Sequence, residues 1–424
     1  MASDNKYFWQ IGVQPPLLER HTQTKHNIVE DYVRRYVLKL MAQANIPELR
    51  LTLVDGFCGG GCYQAEEGGF SDGSPLLMMR AVREARMLLN DGRRIPRNIN
   101  VEFSFVDILR DTTNYLRYWL DAKCQEDAID LSDFNKVEII TNSFLLELPN
   151  IIRKIQCRKM GEHAIFVLDQ YCYKDIPLPA IANILRTLKG AEVIMTFNVD
   201  NLATYLSDYA ANRKSLENIG LDKYIPWSQL NELKADHKKE WRKILQRYLA
   251  NGIKRESGAQ FMTLFFMKPH GTNSWGYWLI HLSNHYRAHE VMKSLHWEHA
   301  TDFGHELEPG IFVLGYNANE DSDYTRQDTF KFGEERSKDA CIDGVREHFG
   351  KQIFLLNKPV RVGDLFQGCV SESTAAESHL LAATRDLHAS KDIVIVSKDG
   401  TVRRPSHTYR LDDVIEPSRQ IRLV

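Results

Sequence analysis

The sequence has no apolar run long enough to cross a bilayer as a helix. Its first ten residues, MASDNKYFWQ, lack both the basic and the apolar segments of a signal peptide. A cytoplasmic chain with no membrane partner is the expectation. Charge of one sign is also missing: 54 Lys and Arg stand against 56 Asp and Glu, a formal net charge of −2. That balance excludes a globally basic nucleic-acid binder and leaves any such contact to local patches. Cysteine is scarce and odd in number, at seven. Cys58 and Cys62 lie four apart, but no second pair stands at zinc-ligand spacing, so no metal site is expected and the thiols read as small packed hydrophobes. No Gly-Lys-Ser/Thr follows the one glycine-rich turn, which excludes a P-loop, and no GxGxxG supports a pyrophosphate-binding site.

What is there is an ordinary globular composition, 43% hydrophobic and 26% charged, over 424 residues. That length exceeds one typical core, so two domains are expected. The stretch Leu51–Tyr63, LTLVDGFCGGGCY, organises the first. Leu51–Val54 has the composition of a buried strand, and Asp55-Gly56-Phe57-Cys58-Gly59-Gly60-Gly61 is a turn able to approach a ligand closely. A strand running into such a turn is where an open α/β sheet binds nucleotide-like molecules. The acidic residue opening the turn suits a ligand with an adenosine and an ammonium group, and S-adenosylmethionine is of that kind. A merely tight strand-to-helix turn is the competing reading.

Around that stretch, strand and helix patterns alternate. Lys25–Ala44 has the spacing of an amphipathic helix, after a mixed segment over residues 1–20 expected on the surface. Gln64–Gly73 reads as a polar loop, and Asp72 or Ser74 as the cap of a helix with Pro75 in its first turn. Val101–Ile108, Lys136–Thr141, Ala164–Leu168 and Ala191–Phe197 read as further strands. Alternation of this kind predicts a Rossmann-like α/β domain, with a mostly parallel sheet and helices on both faces. Polar residues recur at the carboxyl ends of these strands: Asp55, Asp107, Asn142, Asp169 and Asn198. Leu206–Ser257 reads as a charged helical insertion. Between Asn212 and Glu256 it carries eleven Lys or Arg and six Asp or Glu, interleaved with Trp227, Trp241 and Tyr248. A solvated helical face or a nucleic-acid contact would each explain it. Gln260–Met267 and Tyr277–Ser283 read as a hairpin turning at Gly271-Thr272-Asn273, like the antiparallel pair that closes a methyltransferase sheet.

The expected cofactor site follows from this order. Asp55, Gly56, Phe57, Gly59, Gly60 and Gly61 would hold the methionine end of S-adenosylmethionine, Asp107 the ribose hydroxyls, and Asn142 and Ser143 the adenine. Asp169-Gln170-Tyr171-Cys172-Tyr173 stands where amino-methyltransferases carry an Asp/Asn-Pro-Pro-Tyr motif. Asp169 would accept a hydrogen bond from the target amine and Tyr171 would stack on an extruded base. Each acidic residue could instead be a cap or turn residue at a strand end.

A polar stretch near Thr329–Lys338 marks the expected boundary, giving domains 1–335 and 336–424. In the second, helices over Val362–Val370 and Thr374–Ala389 precede strands over Ile393–Ser397 and Thr401–Arg403, joined by Lys398-Asp399-Gly400. That order predicts a winged helix with Lys398, Arg403 and Arg404 on the wing, facing nucleic acid or serving protein contacts.

The chain resembles the bacterial three-Cys-motif partner family over about residues 22 to 300. The resemblance is carried by Lys25-His26, by Val54-Asp55-Gly56-Phe57 with Gly59 and Gly61, by Asp72-Gly73-Ser74-Pro75-Leu76, and by Phe166–Asp169. It implies a class I methyltransferase-like fold and a partner protein bearing the cysteine motif. Gln170 replaces a usual proline, and Cys58 and Gly60 depart from the usual turn. The expected function is an S-adenosylmethionine-dependent methyltransferase-like protein acting on or binding nucleic acid. The alternatives are an inert methyltransferase-like scaffold for a partner protein or DNA in bacterial defence, and, third, a nucleotide-binding sensor.

Overall fold

The computed structural model describes residues 7–43, 46–126, 128–158, 161–236, 241–270, 275–300, 302–308, 311–317, 332–356, 358–405 and 409–418. They divide into two compact units, one running to Val291 and the other starting at Met292 and carrying the C-terminal part. The expected boundary near residue 335 therefore falls inside the second unit. Among the described residues no helix is long and apolar enough to cross a membrane.

The first unit opens with α1 (Arg20–Leu40) and β1 (Glu48–Asp55), then a short hairpin of β2 (Cys62–Gln64) and β3 (Phe70–Asp72). Next come α2 (Ser74–Asn90), β4 (Asn98–Asp107), α3 (Arg110–Gln125), α4 (Leu131–Phe134), β5 (Val137–Thr141), α5 (Phe144–Cys157) and β6 (His163–Leu168). After α6 (Leu178–Thr187) and β7 (Ala191–Phe197) comes α7 (Val199–Tyr205), and the insertion expected over Leu206–Ser257 is helical, as α8 (Ala210–Ile219), α9 (Leu230–Asp236) and α10 (Trp241–Ser257). β8 (Phe261–Lys268) and β9 (Tyr277–Ser283) close the unit's sheet, and the turn expected at Gly271–Asn273 lies outside the described residues.

The strands stand in the order β5-β4-β1-β6-β7-β9-β8. The first five pair in parallel and β9 and β8 run antiparallel. This is the doubly wound order 3-2-1-4-5 with an antiparallel hairpin at one edge. β1 sits at its centre because Leu51, Leu53 and Val54 are apolar on both faces and wholly buried, which only an inner strand of a two-sided sheet allows.

Three expectations for this unit are corrected. The polar loop Gln64–Gly73 contains strands, with Cys62 opposite Asp72 across a turn where Gly68 and Gly69 take positive φ. Three-residue strands are too short to show alternation in a sequence. The segment before α1 does not simply wrap the surface: Pro16 and Leu18 bond their backbones to Gln64, and Trp9 is buried. Gly73, not Asp72 or Ser74, is the residue before α2, and its first turn does hold Pro75.

In the second unit β10 (Asp302–Glu308) and β11 (Ile311–Asn317) pair antiparallel. A helix over Phe332–Leu356 precedes β12 (Val360–Arg361), helices Val362–Glu372 and Glu377–Ala389, β13 (Ile393–Val396) and β14 (Val414–Pro417). The three short strands form a sheet in the order β12-β14-β13. The Asp-Gly turn is present: Gly400 has φ +85° and its N–H donates to the Ser397 carbonyl at 2.9 Å. Thr401–Arg403, however, is no strand of the sheet: it meets the β13 side through the bridge Val396–Val402, with the Ser397 N–H donating to the Thr401 carbonyl at 2.9 Å and the Arg403 N–H to the Ile395 carbonyl at 2.8 Å. The partner of β13 is β14, some twenty residues on. The sequence pointed to the nearer apolar pair because hairpins are usually local.

Candidate functional site

From β1 the chain moves outward to β4 and β5, then returns to β6 on the other side of β1. The connections leaving β1 and β6 diverge there, and the crevice outside their carboxyl ends is where such sheets bind ligands. Asp55 ends β1 and Asp169 follows β6 directly. α1 brings Lys25 and His26 to the same place, α2 brings Ser74, and β7 brings Thr196; these line one small cavity with Asp169.

Lys25 and Asp169 form an ion pair. Burial alone would raise the Asp169 carboxyl, but the charge and hydrogen bond of Lys25 hold it below the usual carboxylate range. Asp169, expected to wait for a target amine, thus already holds the amine of its own chain. The sequence marked both residues but not their meeting, which joins the first helix to the fourth parallel strand.

Asp55 is wholly buried. Its Oδ2 accepts the Ser74 hydroxyl at 2.5 Å and its Oδ1 the Phe57 N–H at 3.1 Å. Burial pushes its carboxyl up to about 7, against those two bonds. Its place in the structure is that of a brace between the turn and α2. His26, 4% exposed, is held neutral, its imidazole pushed down to about 3 by burial and the neighbouring Lys25. Its Nδ1 has no hydrogen-bond partner.

The glycines of the turn are required by the chain's own packing. A Cβ on Gly56 would stand 2.7 Å from Leu168 and 2.9 Å from Phe144, and one on Gly61 2.5 Å from Leu116. On Gly60 it would fall 2.3 Å from the Trp9 ring, whose far edge also covers Gly59. Trp9 is fixed there by its indole N–H, which donates to the Cys62 carbonyl at 2.6 Å. The open cradle expected over Gly59 and Gly60 is filled by this indole. Phe57 is half-buried, its ring 6.5 Å from Phe144.

Asp107, half-buried at the end of β4, accepts the Leu109 N–H at 2.8 Å and a bond from Gly59. Burial raises its carboxyl. Ile108 beside it is 69% exposed, an apolar side chain left open next to an acceptor. Asn142 turns inward on its own helix: its Nδ2 donates to Glu147 at 2.7 Å, and its Oδ1 accepts the Ser143 N–H at 2.8 Å. Ser143 is the residue at the start of α5. Asn142 therefore fastens that helix end with its side chain, as strand-end polar residues commonly do, whereas Ser143 makes no side-chain cap bond there.

Tyr171 is 81% exposed, outside the cavity. Gln170, noted in the sequence only as a missing proline, is buried. Its amide donates to the Thr196 carbonyl at 2.8 Å and accepts the Ile176 N–H at 3.0 Å. Gln170→Ala would leave two buried backbone groups unmatched, with an expected loss of about 2–4 kcal/mol. A urea denaturation curve checks this, and a loss under about half a kcal/mol would refute the role.

In the second unit Lys398 and Arg404 are exposed. Arg403 is not free for phosphate: its Nη2 donates to the buried Asp413 at 2.8 Å. Asp413 lies ten residues on, beyond the reach of a local hairpin reading.

No family model and no curated protein matches the chain. Among solved structures, the chain is similar to a magnesium protoporphyrin IX methyltransferase from Synechocystis PCC 6803 with S-adenosylmethionine bound. Identity is 12%, coverage 63% of this chain and 85% of that one, and the TM-score 0.25. It is also similar to precorrin 8w decarboxylase of Methanobacterium thermoautotrophicum, at 11% identity, coverage of 67% and 100%, and TM-score 0.26. A third is the plantazolicin methyltransferase BamL, at 10% identity, coverage of 63% and 87%, and TM-score 0.25. Likeness this loose fixes neither activity nor substrate for this chain.

Proposed function

We propose that the chain binds S-adenosylmethionine at the carboxyl rim of its first sheet and acts on nucleic acid. The observation that carries this is Asp107, a half-buried carboxylate beside the switch-point strand with an exposed apolar neighbour, Ile108. An acceptor for ribose hydroxyls next to an apolar face suits a nucleoside. Asp107, Ile108 and Phe57 would hold it. The filled turn leaves the methionine end without a cradle, so no residue is assigned to it. When bound, the group would supply an electrophilic methyl; the chain's part is to position an acceptor and exclude water.

The test is calorimetric titration of the full chain with S-adenosylmethionine. Asp107→Ala should weaken binding about tenfold or more, as loss of a charged hydrogen-bond acceptor does. Undetectable binding by the wild-type chain would refute the reading.

A second reading is an inert scaffold for a partner protein or DNA, and the Lys25–Asp169 ion pair favours it, because the acceptor is already satisfied internally. The partner would be the three-Cys-motif protein implied by the family resemblance, in a defence setting. The helix–strand–helix–helix–strand–strand order of the C-terminal part supports a winged helix there. Its Glu377–Ala389 helix, however, carries one arginine, Arg385, beside Asp386, which favours protein over DNA as its partner.

A further inference from the structure

The carboxyl rim continues past Asp169 into a surface unusual for its exposed aromatics. Tyr205, at the end of α7, is 63% exposed, and Tyr209, just before α8, is 75% exposed. Tyr205 stacks on Trp275, with ring centroids 5.5 Å apart and planes 17° from parallel. The Gly276 N–H donates to Asp200 at 2.8 Å, which fixes the stretch before β9 against the start of α7. Large aromatics left in water singly are common, but a rigid stacked pair with a further exposed tyrosine four residues on is a surface feature to be explained.

The charges around it separate into an acidic group and a set of exposed cations. Asp208 is paired with Arg213 at 2.5 Å, and Asp200 is engaged by the Gly276 N–H and stands 3.8 Å from Arg242. Arg242 also donates to the Thr204 hydroxyl at 3.0 Å, which brings the first turn of α10 to the end of α7. Arg213 also faces Asp222 and Glu217, so the acids gather around that one guanidinium, whereas Lys214, Lys243 and Arg247 are exposed on the flanking helices. Aromatic faces interleaved with cations are how proteins hold single-stranded nucleic acid: bases stack and the backbone follows the charge.

We infer that Tyr205, Trp275 and Tyr209, with Lys243 and Arg247, form a platform for single-stranded nucleic acid on the carboxyl rim of the first sheet. This deepens the nucleic-acid part of the proposed function and does not depend on cofactor binding. A duplex, whose bases are stacked on each other, offers no faces to the platform and binds it less well.

The test is fluorescence-anisotropy titration of the full chain with a labelled oligothymidylate of about 20 nucleotides, long enough for one binding site. Single strand should bind more tightly than duplex of the same length. Tyr205→Ala with Trp275→Ala should weaken single-strand binding about tenfold or more. Lys243→Ala with Arg247→Ala should flatten the salt dependence by about one unit of slope for each phosphate no longer neutralised. Should the aromatic pair prove necessary for folding in a melting curve, Tyr209→Ala, on an exposed side chain, carries the same test. No binding at low salt would overturn the platform, and so would affinity unchanged by the aromatic substitutions. Self-association that those substitutions abolish, without oligonucleotide binding, would make the face a protein interface and overturn it too. Oligonucleotide binding without S-adenosylmethionine binding would leave the platform standing and refute the methyltransferase reading alone.

Discussion

Trp9→Ala is expected to lower the stability of the chain by about 3–5 kcal/mol, the range for removing a large buried aromatic. Trp9 is 5% exposed, packs on Gly59 and Gly60, and stands edge-on to Tyr63 at 5.5 Å. Gly60→Ala should cost about 1–3 kcal/mol for a different reason: its methyl would fall 2.3 Å from the ring and push it off the turn. Gly60 does not hold a positive φ, so alanine meets no backbone strain there. The two effects should therefore be strongly coupled. In the Trp9→Ala chain the ring is gone and only the Cβ of residue 9, 2.8 Å from the new methyl, remains to shift, so Gly60→Ala should cost clearly less than in the wild type. Urea denaturation of the wild-type, both single and the double variants gives the coupling, and strict additivity would sink the account. Opening the turn also bears on the ligand: Trp9→Ala should tighten S-adenosylmethionine binding if the indole blocks the approach to the turn.

Stability should respond to pH through Asp55 and His26 in opposite directions. Burial holds the Asp55 carboxyl protonated up to about 7, against 3.8 ordinarily, so its contribution is complete below about pH 4 and lost as pH rises to 7. His26 is kept neutral down to about 3, against 6.5 ordinarily, so its contribution is complete above pH 6.5 and lost as pH falls to 3. Each shift is worth about 4–5 kcal/mol over its whole range, at 1.36 kcal/mol per unit. Between pH 4 and 6.5 the two slopes oppose each other and the wild-type profile should be nearly flat from this source. Asp55→Asn, which keeps hydrogen bonds to Ser74 and the Phe57 N–H, should leave a rise of about 1.4 kcal/mol per pH unit. His26→Gln should leave a fall of the same size. Denaturation midpoints across that window read both, and two variants with the wild-type profile would refute the opposition.

At the site, the sequence named residue types well and their occupation poorly. Asp55, Asp107 and Asp169 all stand at carboxyl strand ends as expected, because a polar residue after an apolar run has only the rim to go to. Whether each faces a ligand depended on neighbours far off in the chain. Asp169 meets Lys25, 144 residues away, and Gly60 meets Trp9, 51 residues away. Gln170 read as a defect in a motif, whereas its side chain replaces a proline's rigidity with two backbone hydrogen bonds.

By itself the sequence determined the alternation of buried strands and amphipathic helices, and with it a parallel sheet whose carboxyl rim gathers the acidic residues. Those features follow from local periodicity and from the short right-handed connections that parallel strands require. Only the tertiary structure decided which side of the glycine turn is open, which carboxylates are already paired, and that β13 takes β14 as its strand partner in addition to the bridge to its nearest neighbour. These are contacts between distant segments, set by packing and by the need to satisfy buried charge, and no local pattern in the chain records them.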